Sequence, residues 1–455
     1  MDEVRMMLDQ LNQSQREAVT HTEGPLLILS GAGSGKTRVI TYRIAYLIKA
    51  KKVSPFNILA VTFTNKAAGE MKERLERLIG LPARTIWVGT FHSTCARILR
   101  REIERLGYSP SFTIYDESDQ IGLMREVMRE LNLSERRYNP RSIIGAISRA
   151  KNELIDYDQY AASATEYFET IVAKLYKEYQ SKLRENNALD FGDLIMLCVR
   201  LFDEHPDVLE RYQNRFRYIM VDEYQDTNFA QYRLVNLLAS AHRNICVVGD
   251  DDQGIYSWRG ADIRNILDFE RDYPETKVVK LEQNYRSTQK ILDAAYHVIS
   301  QNRYRKEKRL WTENEEGEKL VIYEAEDEAE EGDFIASQIK RLVSEGVRFG
   351  EIAIFYRINA QSRNLEEAMR RAGIPYTIVG NVRFYDRREI KDVLAYLRVM
   401  VNRNDSVSLR RIINVPPRRI GETSMRRLAE YAERNFLTLY EAMKAAARGE
   451  VPEIG

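Results

Sequence analysis

Seven consecutive residues, Gly31-Ala32-Gly33-Ser34-Gly35-Lys36-Thr37, constrain the fold of this 455-residue chain more than any other stretch. An apolar run at 26–29 precedes them and predicts a buried strand, and a segment with apolar residues at helical spacing follows. This order of strand, glycine loop and helix is typical of a P-loop. The glycines let backbone N–H groups converge on phosphate oxygens, and the helix N-terminus adds partial positive charge there.

The last two residues of the loop carry side chains suited to a nucleoside triphosphate. Lys36 would reach the β- and γ-phosphates, and the Thr37 hydroxyl would bind Mg²⁺. The pattern has Gly at its first position, where this chain has Ser30, but the glycines beside the phosphates remain. An ordinary glycine-rich turn is the alternative, and the flanking elements and later carboxylates make it the weaker one.

A second apolar run, 218–221, ends in two carboxylates, Asp222 and Glu223. The carboxyl ends of parallel strands form the edge of a sheet at which ligands bind, so this run predicts the other half of the site. Asp222 would hold Mg²⁺, and Glu223 would orient and deprotonate the attacking water. A surface Asp-Glu pair is the alternative for this motif taken by itself.

Two glutamines complete the nucleotide prediction. Gln253 follows another strand-like run, 245–249, and can report the presence of the γ-phosphate. Gln15 precedes the first strand, and its amide offers the donor and acceptor that suit an adenine edge.

Composition sets limits on the class of protein. The chain has 44% hydrophobic and 30% charged residues, and no apolar run approaches the ~18 residues of a membrane span. The N-terminus carries no signal-peptide pattern, and three widely separated cysteines suit a reduced cytoplasmic interior. The five scattered histidines argue against a transition-metal site. A net charge of +1 gives no indication of a polyanionic partner.

Strand-like and helical runs alternate along the chain, which predicts an α/β fold with parallel sheets. The expected strands are 26–30, 58–63, 86–88, 218–222, 245–249 and 278–281, and then 320–324, 352–356 and 376–379 in a second α/β pattern. The expected domains are 1–107 with 191–280, a helical insertion at 108–190, a second α/β part at 281–380, and a helical, arginine-rich part at 381–455. A basic run, 303–309, is expected to be a solvated face.

A series of sequence blocks resembles the superfamily 1 DNA helicases of the UvrD/Rep/PcrA type, and among them most closely PcrA and UvrD. The matching blocks are LNQSQREAV, GAGSGKT, AVTFTNKAAGEM, GTFHS, VDEYQDTN, VVGDDDQGIYSWRGA, LEQNYRST, FYRINAQSR and IVGNVRFYDRREIKD. VDEYQD and GDDDQGIYSWRGA are highly specific. The resemblance implies a P-loop NTPase with two RecA-like motor domains, each with a helical insertion.

The resemblance also implies roles for single residues at the nucleotide. Gln15 matches the glutamine that reads adenine, Arg38 approaches the nucleotide, and Tyr285 matches the tyrosine that stacks on the base. Arg286 matches an arginine that reaches the γ-phosphate, and Gln253 matches the residue that couples nucleotide state to DNA. Small departures at Gly254 and Ser257 bear on the strength of that coupling.

Aromatic side chains in loops after strands predict a track for single-stranded DNA, since bases stack on them. The candidate platforms are Phe63, Tyr256 and Trp258, with Phe91 and His92, and the candidate phosphate or sugar contacts are Asn65, Thr90 and Arg259. For a lone Phe, packing in a core is the stronger alternative. The resemblance places Phe63, Trp258 and Arg259 on the track and further implicates Phe384 and Arg387.

The stretch 410–427 holds six arginines against one acid. Its centre, with Arg418 and Gly421, resembles the turn with which the family contacts duplex DNA. A solvated basic helix end is the alternative.

The resemblance implies an ATP-driven, Mg²⁺-dependent DNA helicase that moves 3′ to 5′ on single strands, binds single/double-strand junctions and acts with repair or replication proteins. Composition and cysteine usage predict a cytoplasmic protein that is not associated with membranes. Two further family blocks do not appear before Gly455, so we expect a chain that lacks the C-terminal part and unwinds DNA poorly. Three alternatives remain open: a DNA-binding fragment without turnover, the motor part of a RecB- or AddA-like helicase–nuclease, and a motor on RNA. No nuclease carboxylate cluster is visible.

Overall fold

A computed structural model describes residues 2–303, 305–379 and 387–451. The chain divides into two compact units, Met1–Gly317 with Asp392–Gly455, and Glu318–Lys391. The domain boundaries expected from the sequence differ from those of the two units and stay predictions.

A six-stranded parallel sheet forms the centre of the larger unit. In the described ranges the strands are β1 (Leu26–Ser30), β2 (Ile58–Thr62), β3 (Trp87–Thr90), β4 (Thr113–Ile114), β5 (Ala188–Leu189), β6 (Tyr218–Val221), β7 (Ile245–Gly249) and β8 (Lys277–Leu281). The sheet has the order β3-β2-β6-β7-β1-β8, and β4 pairs with β5. The six strands expected before residue 282 are confirmed, and they are the strands of this sheet.

The strands form here because their apolar runs are buried on both faces, as in parallel sheets covered by helices. In β1, Leu27 and Leu29 pack into one core cluster, whereas Leu26 and Ile28 pack into the cluster on the other face. The register pairs Leu29 with Gly249 and Ser30 with Leu281. As a result, the ends of β7, β1 and β8 lie side by side.

Helices cover both faces of the sheet and carry the connections between its strands. They are α1 (Asp2–Asp9), α2 (Gln13–Thr20), α3 (Lys36–Lys49), α4 (Asn65–Ile79) and α5 (Phe91–Glu102) before the insertion. After the insertion come α10 (Phe191–Glu204), α11 (Pro206–Arg215), α12 (Phe229–Ala239), α13 (Arg264–Leu267), α14 (Phe269–Asp272) and α15 (Gln289–Ile299). Side-chain caps fix several starts: Asn12 begins α2, Thr64 begins α4 and Asp190 begins α10.

The insertion between α5 and α10 is helical, as expected. It consists of α6 (Glu117–Glu130), α7 (Pro140–Asn152), α8 (Tyr157–Ser163) and α9 (Tyr167–Glu185). It has its own apolar cluster, with Leu123, Ile147 and Tyr176 among its members. The short pair β4 and β5, which the sequence did not predict, joins the beginning and the end of the insertion.

The smaller unit packs α16 (Glu328–Ser344) against α17 (Ser362–Ala372). The approach is close, since a Cβ on Gly332 would lie 2.8 Å from the Cβ of Ala368. The strands expected at 320–324, 352–356 and 376–379 do not form in the described residues. Within the described parts of the chain these segments have no partner strand for their backbone groups, and Ile322, Phe355 and Val379 are exposed by 97%, 93% and 87%.

The described chain ends in four helices, α18 (Arg388–Val401), α19 (Ser406–Ile412), α20 (Glu422–Arg434) and α21 (Leu439–Ala447). All four contribute to one apolar cluster, which includes Val399, Leu409, Leu428 and Ala442. In the part of the chain that is described, no helix combines the length and apolar character needed to cross a membrane.

Candidate functional site

The predicted P-loop joins β1 to α3 and curls over the end of the sheet. Gly33 and Gly35 have φ angles of 72° and 90°, in the left-handed region that favours glycine. The Ser34 N–H donates to the Gly31 carbonyl at 3.3 Å, which closes the turn. Ser34 is buried and its hydroxyl also donates to Gly31, so this side chain shapes the loop.

The loop forms one wall of a cavity of about 350 Å³. The cavity is lined by Ala32, Gly33, Gly35, Lys36, Thr37, Arg38, Arg74, Glu223, Gln253, Tyr285 and Arg286. All of these except Arg74 were predicted from the sequence. They come from the ends of β1, β6, β7 and β8, which the strand order brings together. The site predicted from separate stretches of sequence is therefore a single place in the fold.

Lys36 and Glu223 face each other across this cavity. Lys36 Nζ donates to Glu223 Oε2 at 3.0 Å. Glu223 has a φ of 52°, which turns the chain sharply after β6 and directs its carboxylate into the cavity. A left-handed non-glycine residue is rare and costs free energy, and such strain is commonly found at functional sites.

Asp222 lies beside this pair and is buried. Burial, and then the Glu223 charge, raise the pKa of Asp222 to about 7, against the opposing effects of Lys36 and the Glu223 N–H. The described residues hold no group of three or more acidic, His or Cys side chains able to bind a metal ion. One carboxylate and the Thr37 hydroxyl are a donor set that fits Mg²⁺, which keeps waters and binds nucleotide phosphates.

Gln253 reaches the cavity from the 3₁₀ turn Asp251–Gln253 after β7. Its Nε2 donates to Asp250 Oδ2 at 2.6 Å. Gln225, which is buried, accepts from the Asp250 N–H at 3.0 Å and donates to Glu223 Oε2 at 2.9 Å. A hydrogen-bonded chain therefore joins Gln253 to Glu223 beneath the cavity.

Gln15 lies behind the P-loop and outside the cavity lining. It is 1% exposed, and its Nε2 donates to the Ser34 carbonyl at 3.0 Å. Its Oε1 accepts from the Asn12 N–H at 3.3 Å. Gln15 supports the loop in this structure, and its contact with adenine stays a prediction.

The segment after β8 supplies the opposite wall. Tyr285 is 49% exposed, and its hydroxyl accepts from Asn12 Nδ2 at 2.7 Å. The Asn284 side chain donates to the Ala32 carbonyl at 2.6 Å and accepts from the Arg286 N–H at 2.8 Å. These contacts hold Tyr285 and Arg286 against the P-loop.

Two features of this site were not found from the sequence. Arg74 lines the cavity from the middle of α4, where a charge-rich helix offers no signal that distinguishes one arginine from its neighbours. We expected the basic run 303–309 to be a solvated face, and among its described residues this is only partly so. Arg303, Glu307 and Arg309 are exposed, but Lys308 is 4% exposed and pairs with aspartates after β7. Only the fold brings these opposite charges together.

The loop after β7 also exposes the predicted aromatic platforms. Trp258 is 61% exposed and Tyr256 39%, with ring centroids 6.3 Å apart. The backbone of Arg259 completes the turn Ser257–Arg259, and its side chain lies outside the described part. Gly260 has a φ of 87° and ends the turn. These aromatic groups are thus presented at the same edge of the sheet as the cavity.

The loops after β2 and β3 differ in what they expose. Phe63 is partly exposed and packs edge-on against Phe91 at 5.6 Å, but Phe91 is 1% exposed and belongs to the core. Phe91 is therefore not a platform, because its ring is surrounded by protein. Asn65 is exposed at the start of α4, whereas the Thr90 hydroxyl accepts from the Ser93 N–H and caps α5.

His92 has a neighbour that sequence reasoning missed. Its ring meets Phe191 edge-on at 5.6 Å, and Phe191 is 47% exposed. Burial lowers the pKa of His92, which favours the neutral ring. An exposed Phe directly after a helix-capping Asp190 is the signal that could have drawn attention to Phe191.

The last candidates lie in the C-terminal region. Phe384 falls outside the described residues, and Arg387 is exposed just before α18. Arg418 turns back on its own chain, where its guanidinium donates to the carbonyls of Ile412 and Ile413 at 2.7 and 2.9 Å. Arg418 therefore shapes the turn that ends at the exposed Gly421.

The chain is similar to known helicases. Residues 11–274 match the family model of the UvrD/REP helicase N-terminal domain, and residues 279–449 match that of the UvrD-like helicase C-terminal domain. The chain is 54% identical over 439 residues to a Bacillus subtilis (strain 168) protein and over 440 residues to a Staphylococcus aureus (strain Mu50) protein, both named ATP-dependent DNA helicase PcrA. These matches cover 96% and 97% of this chain.

The matches correct one expectation. We expected the C-terminal part of the family to be absent, but the C-terminal domain model matches residues 279–449. The chain spans 59% and 60% of the length of these two curated relatives.

Proposed function

The chain belongs to the UvrD/REP helicase family, and from that premise we propose that it is an ATP-driven motor that moves 3′ to 5′ on single-stranded DNA and separates duplex strands. The observation that carries the proposal is the meeting of Lys36, Glu223, Gln253 and Arg286 around one cavity of about 350 Å³. Exposed aromatic side chains lie on loops at the same edge of the sheet. The two relatives are named as ATP-dependent DNA helicases, which supports an ATP-driven activity on DNA.

At the nucleotide, each side chain has a separate task. Lys36 binds the β- and γ-phosphates, and Thr37 with Asp222 holds Mg²⁺, which when bound neutralises phosphate charge. Glu223 accepts a proton from the attacking water. Arg286 and Arg74 offset the charge of the γ-phosphoryl group, and Gln253 contacts it from the β7 loop. Tyr285, Arg38 and Gln15 bind the base side of the nucleotide.

On the DNA, stacking and backbone contacts hold a single strand along the loops after β2, β3 and β7. Trp258 and Tyr256 supply the exposed platforms, with Phe63 and the His92–Phe191 pair further along the edge. Asn65, Arg259 and the backbone around Thr90 contact phosphates or sugars. Gln253 and Trp258 belong to one loop, so a change at the γ-phosphate reaches the grip on DNA directly.

The C-terminal region extends this track to the single/double-strand junction. The turn around Gly421, shaped by Arg418, contacts the duplex through its backbone amides, and Arg387 and Phe384 contact the single strand. Repair or replication proteins are the proposed partners. The three described cysteines are buried and free, which suits a reducing cytoplasm.

The test measures phosphate release by this chain with Mg²⁺ and ATP, with and without single-stranded DNA. We expect stimulation by DNA, and a loss of at least about 100-fold in Glu223→Gln, the usual contribution of a general base. Glu104→Gln, an exposed residue outside the cavity, is the control.

Two further measurements test the nucleic acid that the chain prefers and the direction of movement. An RNA of the same sequence should stimulate less than DNA, and a forked duplex with a 3′ tail should be separated in preference to one with a 5′ tail. Absence of any DNA-stimulated phosphate release would reject the proposal.

A further inference from the structure

A buried lysine outside the cavity connects to the nucleotide site through the aspartates that follow β7. Lys308 Nζ lies 2.9 Å from Asp250 Oδ1 and 2.9 Å from Asp252 Oδ2, and it also pairs with Asp251. Lys308 is 4% exposed, and Asp250 and Asp251 are 3% and 4% exposed. Three adjacent carboxylates would repel one another if no cation were held among them.

The same segment adds a second cation and a backbone donor. Arg305 makes two bonds of 2.9 Å to Asp252, and the Lys306 N–H donates to Asp251 Oδ2 at 2.7 Å. Burial lowers the pKa of Lys308, but the neighbouring aspartates outweigh that effect and raise it above its ordinary value. Lys308 is therefore a cation throughout the physiological range.

Asp250 links this ion cluster to the cavity. Its Oδ1 pairs with Lys308 Nζ, and its Oδ2 accepts a hydrogen bond from Gln253 Nε2 at 2.6 Å. Its N–H donates to the buried Gln225, which in turn donates to Glu223. The orientation of the Gln253 amide thus depends on a carboxylate whose position is set by Lys308.

The segment that carries Lys308 also touches the P-loop. Leu310 packs against Gly31 so closely that a Cβ on Gly31 would lie 2.1 Å from Leu310 Cδ2. Trp311 then donates its N–H to the Glu282 carbonyl at 3.1 Å and accepts from the Asn284 N–H at 2.8 Å. The 305–311 segment therefore contacts three of the elements that form the cavity.

We propose that Lys308 is a positioning residue for ATP turnover, which holds Gln253 against the nucleotide through Asp250. This inference rests on the proposed function. Lys308 does not line the cavity. It acts by fixing the position of the Asp250 carboxylate, so that the Gln253 amide keeps one orientation. Loss of Lys308 removes the cation that pairs with Asp250 and Asp251 among the described residues, while Arg305 still pairs with Asp252. The turn that carries Gln253 must then rearrange.

The test compares Lys308→Met with the unmodified chain in DNA-stimulated phosphate release. We expect kcat to fall about 10- to 100-fold, the usual consequence of a small misplacement at a reacting group. The KM for ATP and the affinity for a non-hydrolysable analogue should change little, because Lys36 and the P-loop remain in place. Lys306→Met, which removes a lysine of the same segment that pairs with Glu270 at the surface, is the matched control.

A double-mutant cycle separates positioning from general support of the fold. If Lys308 acts only through Gln253, Lys308→Met should have almost no further effect on kcat in a Gln253→Ala background. A fall of up to about twofold lies within the usual error of such cycles. An equal fall in both backgrounds, or a fall in kcat accompanied by equal losses in analogue affinity and Tm, would overturn the proposal. If Lys308→Met does not fold, Lys308→Met/Asp251→Leu replaces the buried ion pair by apolar groups and serves in its place. Absence of DNA stimulation in the unmodified chain would instead reject the proposed function.

Discussion

Lys36 and Glu223 form the central ion pair of the proposed nucleotide site, with the Lys36 side chain 11% exposed and that of Glu223 34% exposed. In the proposed mechanism, a phosphate bound in the P-loop would compete with Glu223 for Lys36. Once Lys36 bound the phosphate, the Glu223 carboxylate would be free of the lysine and could accept a proton from water. This pair of side chains can therefore link phosphate binding to the ability of Glu223 to act as a general base.

Asp222 leads to a prediction about pH. Because its pKa is raised to about 7 and Mg²⁺ binds the ionised form, we expect Mg²⁺-dependent nucleotide affinity to increase as pH rises through 7. Titrations of a fluorescent ATP analogue with Mg²⁺ on both sides of pH 7 measure this. Asp222→Asn should remove the dependence, and an affinity equal at both pH values would contradict the assignment.

The raised pKa of Asp222 also affects the stability of the fold in the absence of Mg²⁺ and nucleotide. The folded pKa of about 7 lies above the ordinary value of 3.8, so the folded chain binds a proton that the unfolded chain has lost. The stability that the Asp222 carboxyl contributes is fully present at pH values below its ordinary pKa of 3.8, and it is lost as the pH rises through 7. The free energy of unfolding of Asp222→Asn should lack this decline.

Residue type alone did not show how each predicted side chain is used. Sequence reasoning grouped Phe91 with Phe63, and Arg418 with other basic residues. The structure buries Phe91 and engages the Arg418 guanidinium with carbonyls of its own turn. The difference lies in which neighbours surround each side chain, and neighbours distant in sequence cannot be read from a local motif.

At the scale of elements, Lys151 connects α7 of the insertion to the start of α10. Its Nζ lies 2.7 Å from both Asp190 Oδ2 and Asp193 Oδ1, and its side chain is 1% exposed. Gly192 lets this contact form, since a Cβ there would lie 2.9 Å from Lys151 Cδ. The pair of aspartates that caps α10 is thus neutralised by the insertion.

We expect Lys151→Met to lower the free energy of unfolding by about 3–5 kcal/mol, because it leaves buried carboxylates without a cation. Urea denaturation measures the loss. Arg149→Met changes an exposed residue of the same helix and should cost less than about 0.5 kcal/mol. Equal losses in the two variants would show that the ion cluster does not stabilise the fold.

The turn Ser257–Arg259 leads to a prediction on DNA. Trp258→Ala should weaken single-stranded DNA binding by about 1–3 kcal/mol, which is roughly 5- to 150-fold in Kd. Fluorescence anisotropy with a labelled oligonucleotide measures the change. Phe56→Ala removes an aromatic residue that is 55% exposed just before β2, at the other edge of the sheet, and should leave the affinity unchanged.

Strand predictions succeeded or failed according to their partners. The apolar runs of β1 and β7 have strands on both sides, whereas the runs at 320–324 and 376–379 have none in the described residues. An apolar run indicates that a strand can form. Hydrogen-bond partners decide whether it does.

At the scale of the molecule, the C-terminal helices dock on the helical insertion through several polar contacts, and Val407 packs on the insertion's apolar cluster. Tyr115 donates its hydroxyl to Asp405 Oδ1 at 2.7 Å, and both are 0% exposed. Arg398 pairs with Asp119 at 2.8 Å, and Asn402 Nδ2 donates to the Asn186 carbonyl at 2.9 Å. Burial and Asp405 raise the pKa of Tyr115 well above its ordinary value, so this hydroxyl remains a donor.

We expect Tyr115→Phe to destabilise the docking by about 1–3 kcal/mol, the usual cost of leaving a buried hydrogen-bonding group without its partner. Hydrogen exchange of the α19 amides should accelerate accordingly. Tyr157→Phe is the control, because its ring packs on Tyr176 within the same insertion. Unchanged exchange in Tyr115→Phe would show that other contacts hold the α19 helix.

The sequence by itself determined the P-loop, the strands of the main sheet, the two carboxylates after β6 and the family resemblance, because each depends on residues close together in the chain. Tertiary structure alone decided that Lys308 pairs with the aspartates after β7, that Arg74 lines the cavity, and that Phe91 belongs to the core. These depend on the strand order β3-β2-β6-β7-β1-β8 and on the path of the 305–311 segment. Local patterns specify elements, whereas charge pairing and burial arise only when distant segments share the same space.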